Sequence, residues 1–96
     1  MKWRISNPAR RDLDGIWTYT ATNWGAEQAD RYIDTLISRM MWLTQNEELW
    51  RARDDVGSGV FSYGEGRHTI FFQTSPDVLM IVRVLHERMD IGRHID

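Results

Sequence analysis

The first half of the chain repeats its apolar residues at the spacing of amphipathic helices. One stripe predicts a helix from Pro8 to about Asn23 and consists of Leu13, Ile16, Trp17, Thr20, Ala21 and Trp24. A second stripe predicts a helix from Ala26 to about Asn46 and consists of Ala29, Tyr32, Ile33, Leu36, Ile37, Met40 and Leu43. Gly25 lies between them and can adopt the left-handed conformation that ends a helix. We therefore predict an antiparallel helical hairpin over about residues 8–46, with one shared apolar seam.

The residues before the first helix predict a strand and a helix start. Residues 3–6 alternate apolar and polar side chains, as a short strand does. Asn7 is a suitable cap for the free N–H groups of a helix, and Pro8 suits the first helical position, where its missing N–H costs nothing.

The second half of the chain predicts three strands, over residues 59–63, 67–74 and 78–86, within about 59–86. The sequence Gly64-Glu65-Gly66 separates the first two strands, and Ser75-Pro76-Asp77 separates the second and third. The third strand is apolar on both faces, which predicts a central position in the sheet. The order is β-α-α-β-β-β, an α+β fold in one domain over residues 1–96. We expect an antiparallel sheet with the helical hairpin on one face and the N-terminal strand at a sheet edge.

The tryptophans predict a surface that a partner covers. Five Trp in 96 residues are more than a core of this size readily hides. Trp42 lies about 180° around its helix from Ile33, among polar residues. Two readings stay open for Trp42: the following loop folds over it through Trp50, or a partner protein covers it.

Composition narrows the class of function. The chain has 12 Lys and Arg against 14 Asp and Glu and a pI near 5.9, so it lacks the basic excess that is usual in proteins that bind RNA or DNA through the phosphates. It has no Cys, which excludes disulfides and thiolate metal sites, and its three His do not have the spacing of metal ligands. No apolar run approaches the roughly 20 residues of a membrane span. We expect a cytoplasmic protein that does not insert into membranes or bind nucleic acid directly.

Three ordered segments carry a resemblance to a known family. They are residues 9–20 continuing into 23–29 (ARRDLDGIWTYT, then NWGAEQA), residues 66–72 (GRHTIFF) and residues 81–90 (IVRVLHERMD). These segments resemble the "DLxxIWxYT…WGxxQA", "GxHxIFY" and "IxRVLHxRMD" patterns of ParE-like toxins. The resemblance, to the ParE branch of the RelE/ParE toxin superfamily, covers nearly the whole chain.

The resemblance implies a function by binding. ParE-like toxins bind DNA gyrase, trap its complex with cleaved DNA and so block replication. A ParD-like antitoxin, whose N-terminal part is a ribbon-helix-helix DNA-binding domain, wraps the toxin and inactivates it. The resemblance implies no cofactor and no bond-breaking chemistry.

Two alternatives stay open. RelE-type relatives cut mRNA on the ribosome with clustered Arg and Lys and a C-terminal Tyr or His, and such chemistry needs a base, an acid and phosphate-binding cations. Here the last Tyr is Tyr63 and the only Lys is Lys2. The residues that remain for a ribonuclease are Arg67, His68, Arg83, His86, Arg88 and His94. The other alternative is a non-toxic assembly module.

Site residues follow from the pattern and from the resemblance. The antitoxin-binding candidates are Trp17, Tyr32, Leu36, Arg39 and Trp42. The gyrase-contact candidates are Arg67, His68, Arg88, Arg93 and His94. Arg83 lies in mid-strand on the same side as Ile81 and Leu85, and its burial predicts an ion pair with an acidic helix residue.

Overall fold

The computed structural model of the protein describes residues 1–89. Its elements are β1 (Lys2–Ile5), α1 (Asn7–Trp24), α2 (Ala26–Leu43), a 3-10 turn (Glu47–Leu49), β2 (Arg51–Ala52), β3 (Val60–Glu65), β4 (His68–Thr74) and β5 (Val78–His86). The five strands form one sheet in the order β1-β5-β4-β3-β2, and both helices pack on one of its faces. Within these residues, no helix has the length and hydropathy that crossing a membrane requires.

The predicted α+β class is confirmed, and so is the central position of the last strand, since β5 lies between β1 and β4. The expectation of an antiparallel sheet holds for β2 to β5, but β1 pairs with β5 in parallel, with Lys2 opposite Val78 and Ile5 opposite Ile81. The sheet is therefore mixed. Parallel neighbours need a long connection, which the helical hairpin and the antiparallel strands supply.

The start of α1 differs from the prediction by one residue. Ser6, and not Asn7, is the N-cap, and Pro8 consequently lies one position further into the first turn. The Ser6 Oγ accepts a hydrogen bond from the Ala9 N–H at 3.1 Å and donates one to the Val82 carbonyl at 3.0 Å. Ser6 caps because β5 holds it in place, which the local sequence does not reveal.

The end of α2 and the following loop also differ. The helix ends at Leu43 instead of about Asn46, and the side chain of Asn46 donates to the Trp42 carbonyl at 2.8 Å in place of a further helical turn. The two-residue strand β2, absent from the prediction, then pairs with β3. Trp50 anchors this loop, because its Nε1 donates to the Leu43 carbonyl at 2.9 Å.

Two apolar clusters hold the sheet. The main cluster lies between the hairpin and the sheet and contains Ala9, Leu13, Leu36, Met40, Leu43, Ile70, Phe72, Leu79, Ile81 and Val84. The second cluster contains Val60, Phe71 and Leu85, with Val56 and Val82 packed against it. The two clusters share the strands β4 and β5, whose alternating side chains divide between them.

A register shift in β5 changes which side chains share a face. Phe71 pairs with Arg83 and Phe72 pairs with Ile81, so that Val82 is an extra residue in β5. Such a bulge breaks the two-residue alternation of a strand. The prediction that Arg83 faces the same way as Ile81 and Leu85 is therefore wrong for Ile81. Arg83 pairs with Phe71 of the second cluster, to which Leu85 also belongs, whereas Ile81 belongs to the main cluster.

The predicted ion pair of Arg83 with an acidic helix residue is confirmed. The Arg83 Nε and Nη2 donate to the two carboxylate oxygens of Asp12 in α1, at 2.7 and 2.8 Å. Asp12 also accepts a hydrogen bond from the Val84 N–H at 2.9 Å. The side chains of Arg83 and Asp12 are only 21% and 13% exposed, so water cannot readily replace either partner.

We expect Asp12→Ala to lower the free energy of unfolding by about 2–4 kcal/mol, because it leaves a largely buried guanidinium and a strand N–H without their carboxylate. Urea unfolding measures the change. Asp14→Ala is the matched control on the exposed side of the same helix and should stay within about 0.5 kcal/mol of the wild type. Equal effects of the two substitutions would contradict a structural role for the Asp12 carboxylate.

Candidate functional site

One candidate surface, the α2–β3 face, consists of Arg39, Trp42, Tyr63 and Glu65. The Arg39 guanidinium lies over the Trp42 ring, 4.4 Å from the ring centroid, and its Nε is 2.7 Å from a carboxylate oxygen of Glu65. The rings of Trp42 and Tyr63 meet edge to face with their centroids 5.3 Å apart. All four side chains are partly exposed, so a cation between two aromatic rings is presented to solvent.

Simple periodicities build this face. Arg39 and Trp42 are three residues apart on α2 and therefore share a helix side, while Tyr63 and Glu65 are two apart on β3 and share a strand side. The short strand β2 pairs only with Phe61 and Ser62. The outer edge of β3 from Tyr63 to Glu65 consequently has no neighbouring strand among the residues that the structure describes.

One of the two interpretations predicted that Trp50 of the following loop covers Trp42, but a different side chain does so. The ring contact of Trp42 is Tyr63, whereas Trp50 packs its ring against Phe61 and Phe72. Trp42 stays half-buried at the border of the main cluster. The sequence pattern did not identify Tyr63 and Glu65 as site residues. Both are spaced by two from Phe61, which packs against the helix side, and this spacing was a usable signal.

A second group of residues ties α2 to the turn between β3 and β4. The Tyr32 hydroxyl lies 2.7 Å from Nδ1 of His68 and accepts a hydrogen bond from the Arg67 N–H at 3.3 Å. His68 in turn meets His86 of β5 edge to face, with the ring centroids 5.4 Å apart. Gly66, at φ 60°, lets the turn pass directly over the Tyr32 ring.

Burial sets the protonation of this group. Burial lowers the pKa of His68, and the neighbouring His86 lowers it further. Burial likewise raises the pKa of Tyr32, with a smaller opposing contribution from the Arg67 N–H. A neutral imidazole and a neutral phenol are therefore the stable forms near pH 7, and they bond to each other.

The gyrase-contact candidates within the described residues lie at one end of the sheet. We call Arg67, His68 and Arg88 the basic end. The Glu87 N–H donates to the Arg67 carbonyl at 2.9 Å, which brings the segment after β5 beside the β3–β4 turn. Arg67 and Arg88 are exposed and His68 is partly buried. Arg93 and His94 lie outside the described residues.

The antitoxin-binding candidates do not all share one surface. Tyr32, Arg39 and Trp42 lie on the part of α2 that faces β3 and β4. Leu36 is fully buried in the main cluster and has no exposed surface to offer a partner. Trp17 belongs to α1, and its Nε1 donates to the Asp30 side chain of α2 at 2.8 Å. Asp30 lies two residues before Tyr32, about 200° away around α2, so Trp17 is on a different side of the hairpin.

The hairpin tip confirms that not every tryptophan is buried. Trp24 and Tyr19 are 65% and 64% exposed, and their rings meet edge to face with centroids 6.0 Å apart. Trp17 is 38% exposed. Within residues 1–89, no group of three His, Asp or Glu side chains is arranged to hold a metal ion.

Comparisons with known proteins return mainly ParE toxins, together with Toxin RelE3 of Caulobacter vibrioides at 30% identity over 81% of this chain and 85% of that protein. The family model described as "ParE toxin of type II toxin-antitoxin system, parDE" matches residues 3–91. The chain is 33% identical to Toxin ParE1 of Mycobacterium tuberculosis, covering 98% of this chain and 97% of that protein. It is 31% identical to Toxin ParE1 of Caulobacter vibrioides, covering 97% and 96%. A solved structure of the chromosomal ParDE toxin–antitoxin system of P. aeruginosa shares the fold, with a TM-score of 0.77 at 19% identity over 90% of this chain and 95% of that one.

The packing of Tyr32 against the turn makes a sharp prediction. A Cβ atom at Gly66 would lie 2.7 Å from the Tyr32 hydroxyl, on a backbone with positive φ, so we expect Gly66→Ala to destabilise the fold by about 1–3 kcal/mol. Gly64→Ala, in the same turn region but with no atom near its Cβ, should have a much smaller effect. Thermal unfolding compares the two, and equal losses would contradict the proposed contact.

Proposed function

Because the chain belongs to the ParE toxin family of type II toxin–antitoxin systems, we propose that it stops growth by binding DNA gyrase in the cytoplasm and trapping its complex with cleaved DNA. We further propose that a ParD-like antitoxin neutralises it by covering the toxin. The match of the family model to residues 3–91, nearly the whole chain, carries this proposal.

The structure supports a mechanism without bond-breaking chemistry. Two of the groups that a ribonuclease would need are held by other side chains: His68 by Tyr32, and Arg83 by Asp12. His86 accepts a hydrogen bond at Nδ1 from the Arg88 N–H at 3.1 Å. A general acid and base must instead present their protons to a substrate. These contacts favour a binding protein over a RelE-type ribonuclease.

The basic end is the part of the described chain that we assign to gyrase. Arg67 and Arg88 are exposed, and neither forms an ion pair with another side chain of residues 1–89. Exposed Arg side chains suit contacts with carboxylates at protein interfaces. Arg93 and His94 follow this end in sequence and stay candidates with it.

We expect the purified chain to accumulate cleaved DNA in a gyrase reaction that contains no ribosomes. Replacing both Arg67 and Arg88 with Ala should reduce this accumulation at least about tenfold, because central Arg contacts at interfaces are often worth 1.4 kcal/mol or more. Arg51→Ala, an exposed Arg on β2 at one edge of the sheet, is the matched control and should leave the accumulation unchanged.

The alternatives give different results in the same design. A ribosome-dependent ribonuclease would cut translated mRNA and leave supercoiling untouched. A non-toxic assembly module would do neither and would not slow growth when expressed alone. Either result would refute gyrase as the target.

The α2–β3 face is the surface that we assign to the antitoxin. Arg, Trp and Tyr dominate binding energy at protein interfaces, and here they form one partly exposed cluster. An amphipathic segment of the antitoxin would lie along α2 and cover Trp42, and an extended segment would pair with the open edge of β3. Tyr32 lies at the border of the same surface.

We expect Trp42→Ala to weaken the toxin–antitoxin complex by about 2 kcal/mol, because a partly desolvated aromatic anchor is lost. Isothermal titration with the cognate antitoxin measures the change, after thermal unfolding has shown that the variant is folded. Trp24→Ala, at the exposed hairpin tip, should change the affinity by less than about 0.5 kcal/mol. If the Trp42 variant binds within about 1 kcal/mol of the wild type, the assignment of this face is wrong.

A further inference from the structure

Three cations surround the N-terminal edge of the sheet without an acidic partner. Lys2 and Arg4 alternate along β1, and Arg10 lies in the first turns of α1. All three are exposed, and none forms an ion pair with a side chain of residues 1–89. Asp14 lies four residues after Arg10, and the Asp77 carbonyl accepts a hydrogen bond from the Lys2 N–H, yet neither carboxylate forms a salt bridge with these cations. The positive charge at this edge is therefore available to a partner.

A shallow groove lies among these cations. It has a volume of about 560 Å³ and is lined by Trp3, Arg4, Ile5, Ser6, Asn7, Arg10 and Met80. A second groove of about 430 Å³ adjoins it and shares Arg4 and Met80 with the first. The lining combines apolar side chains with guanidinium groups, so it suits a ligand that is itself both apolar and negatively charged.

The groove runs along an unpaired strand edge. β1 is the outermost strand of the sheet, and no described strand lies beyond it. The N–H groups of Lys2 and Ser6 donate towards β5, to the carbonyls of Asp77 and Ile81. Backbone groups alternate in direction along a strand, so those of Trp3 and Ile5 point outward. They are the donors and acceptors that an added strand would use.

The charges select what can pair there. Pairing between the β1 edges of two copies would place Lys2 and Arg4 against the same cations of the other copy, and like charges on paired strands are destabilising. Nucleic acid fits poorly, since three cations beside apolar groups, on a chain with a net charge of −2, do not form a phosphate-binding surface. An acidic strand satisfies both the backbone and the cations.

We propose that the β1 edge binds an extended peptide segment of a partner protein in which acidic residues alternate with apolar ones. The segment adds a strand to β1, places its carboxylates on the face that carries Lys2, Arg4 and Met80, and packs its apolar side chains on the opposite face, against Trp3 and Ile5. This surface lies at the opposite edge of the sheet from the α2–β3 face. It therefore gives the protein a second docking surface, whether or not gyrase is the target.

The test uses the full-length chain and synthetic peptides of about eight residues, the length of an ordinary strand. A fluorescent peptide of alternating Glu and Val should bind, as measured by anisotropy, and raising the salt concentration should weaken the binding. The same peptide with Lys in place of Glu, and a short DNA duplex, should not bind. N-methylation of the Glu–Val peptide on one side of its backbone should abolish binding, because it removes the strand hydrogen bonds.

The site is checked by charge reversal. Combining Lys2→Glu with Arg4→Glu should weaken binding of the Glu–Val peptide about tenfold or more, because repulsion replaces attraction. Arg51→Glu, on the exposed strand β2 at the other edge, should change it less than about twofold. Thermal unfolding verifies that the variants are folded. The proposal would be overturned if the Lys peptide or the duplex bound as well as the Glu–Val peptide, or if the Glu–Val peptide did not bind. It would also be overturned if the charge reversals at the β1 edge and at Arg51 weakened binding equally.

Discussion

The fold depends on the part of the β5 edge that β1 does not cover. β5 lies inside the sheet, between β1 and β4, yet β1 pairs only with its first part, from Val78 to Ile81. Ser6 and the first turns of α1 form hydrogen bonds with the next polar groups along that edge. Ser6 bonds the carbonyls of Ile81 and Val82, and the Asp12 carboxylate accepts from the Val84 N–H while it holds Arg83. A buried strand edge that lost these partners would leave polar groups without water or protein to bond.

This arrangement also fixes where the proposed binding surfaces lie. α1 is attached to β5 and packs beside α2, so the hairpin brings α2 over β3 and β4. Tyr32 then reaches His68, and Arg39 reaches Glu65. The α2–β3 face and the basic end are thus two consequences of one packing, and on the α2–β3 face Glu65 and the Trp42 ring already hold the Arg39 guanidinium. Preorganised surfaces of this kind lose little entropy on binding, which suits a protein that acts by holding a partner.

The sequence predicts the fold to the extent that periodicity and burial determine it. The apolar stripes of the two helices predict the hairpin, and the apolar residues on both faces of β5 predict that it lies inside the sheet. An Arg in such a strand requires an acidic partner, and the structure supplies Asp12. What the pattern could not show depends on contacts between distant segments. The bulge at Val82, the cap at Ser6 and the parallel pairing of β1 all arise where the chain meets β5 from far away in sequence. The spacing of Tyr63 and Glu65 with Phe61 shows that the three share a strand side, but their contacts with Trp42 and Arg39 of α2 depend on distant segments in the same way.

The central functional claim is that this toxin acts by binding and not by turnover. The most direct measurement is a titration of the purified chain into a fixed, known amount of gyrase well above the dissociation constant, with supercoiling activity as the readout. Stoichiometric binding predicts that activity falls linearly and reaches its minimum when toxin and gyrase protomers are present in comparable amounts. Complete loss of activity with toxin in large deficit would reveal catalytic inactivation and contradict the account.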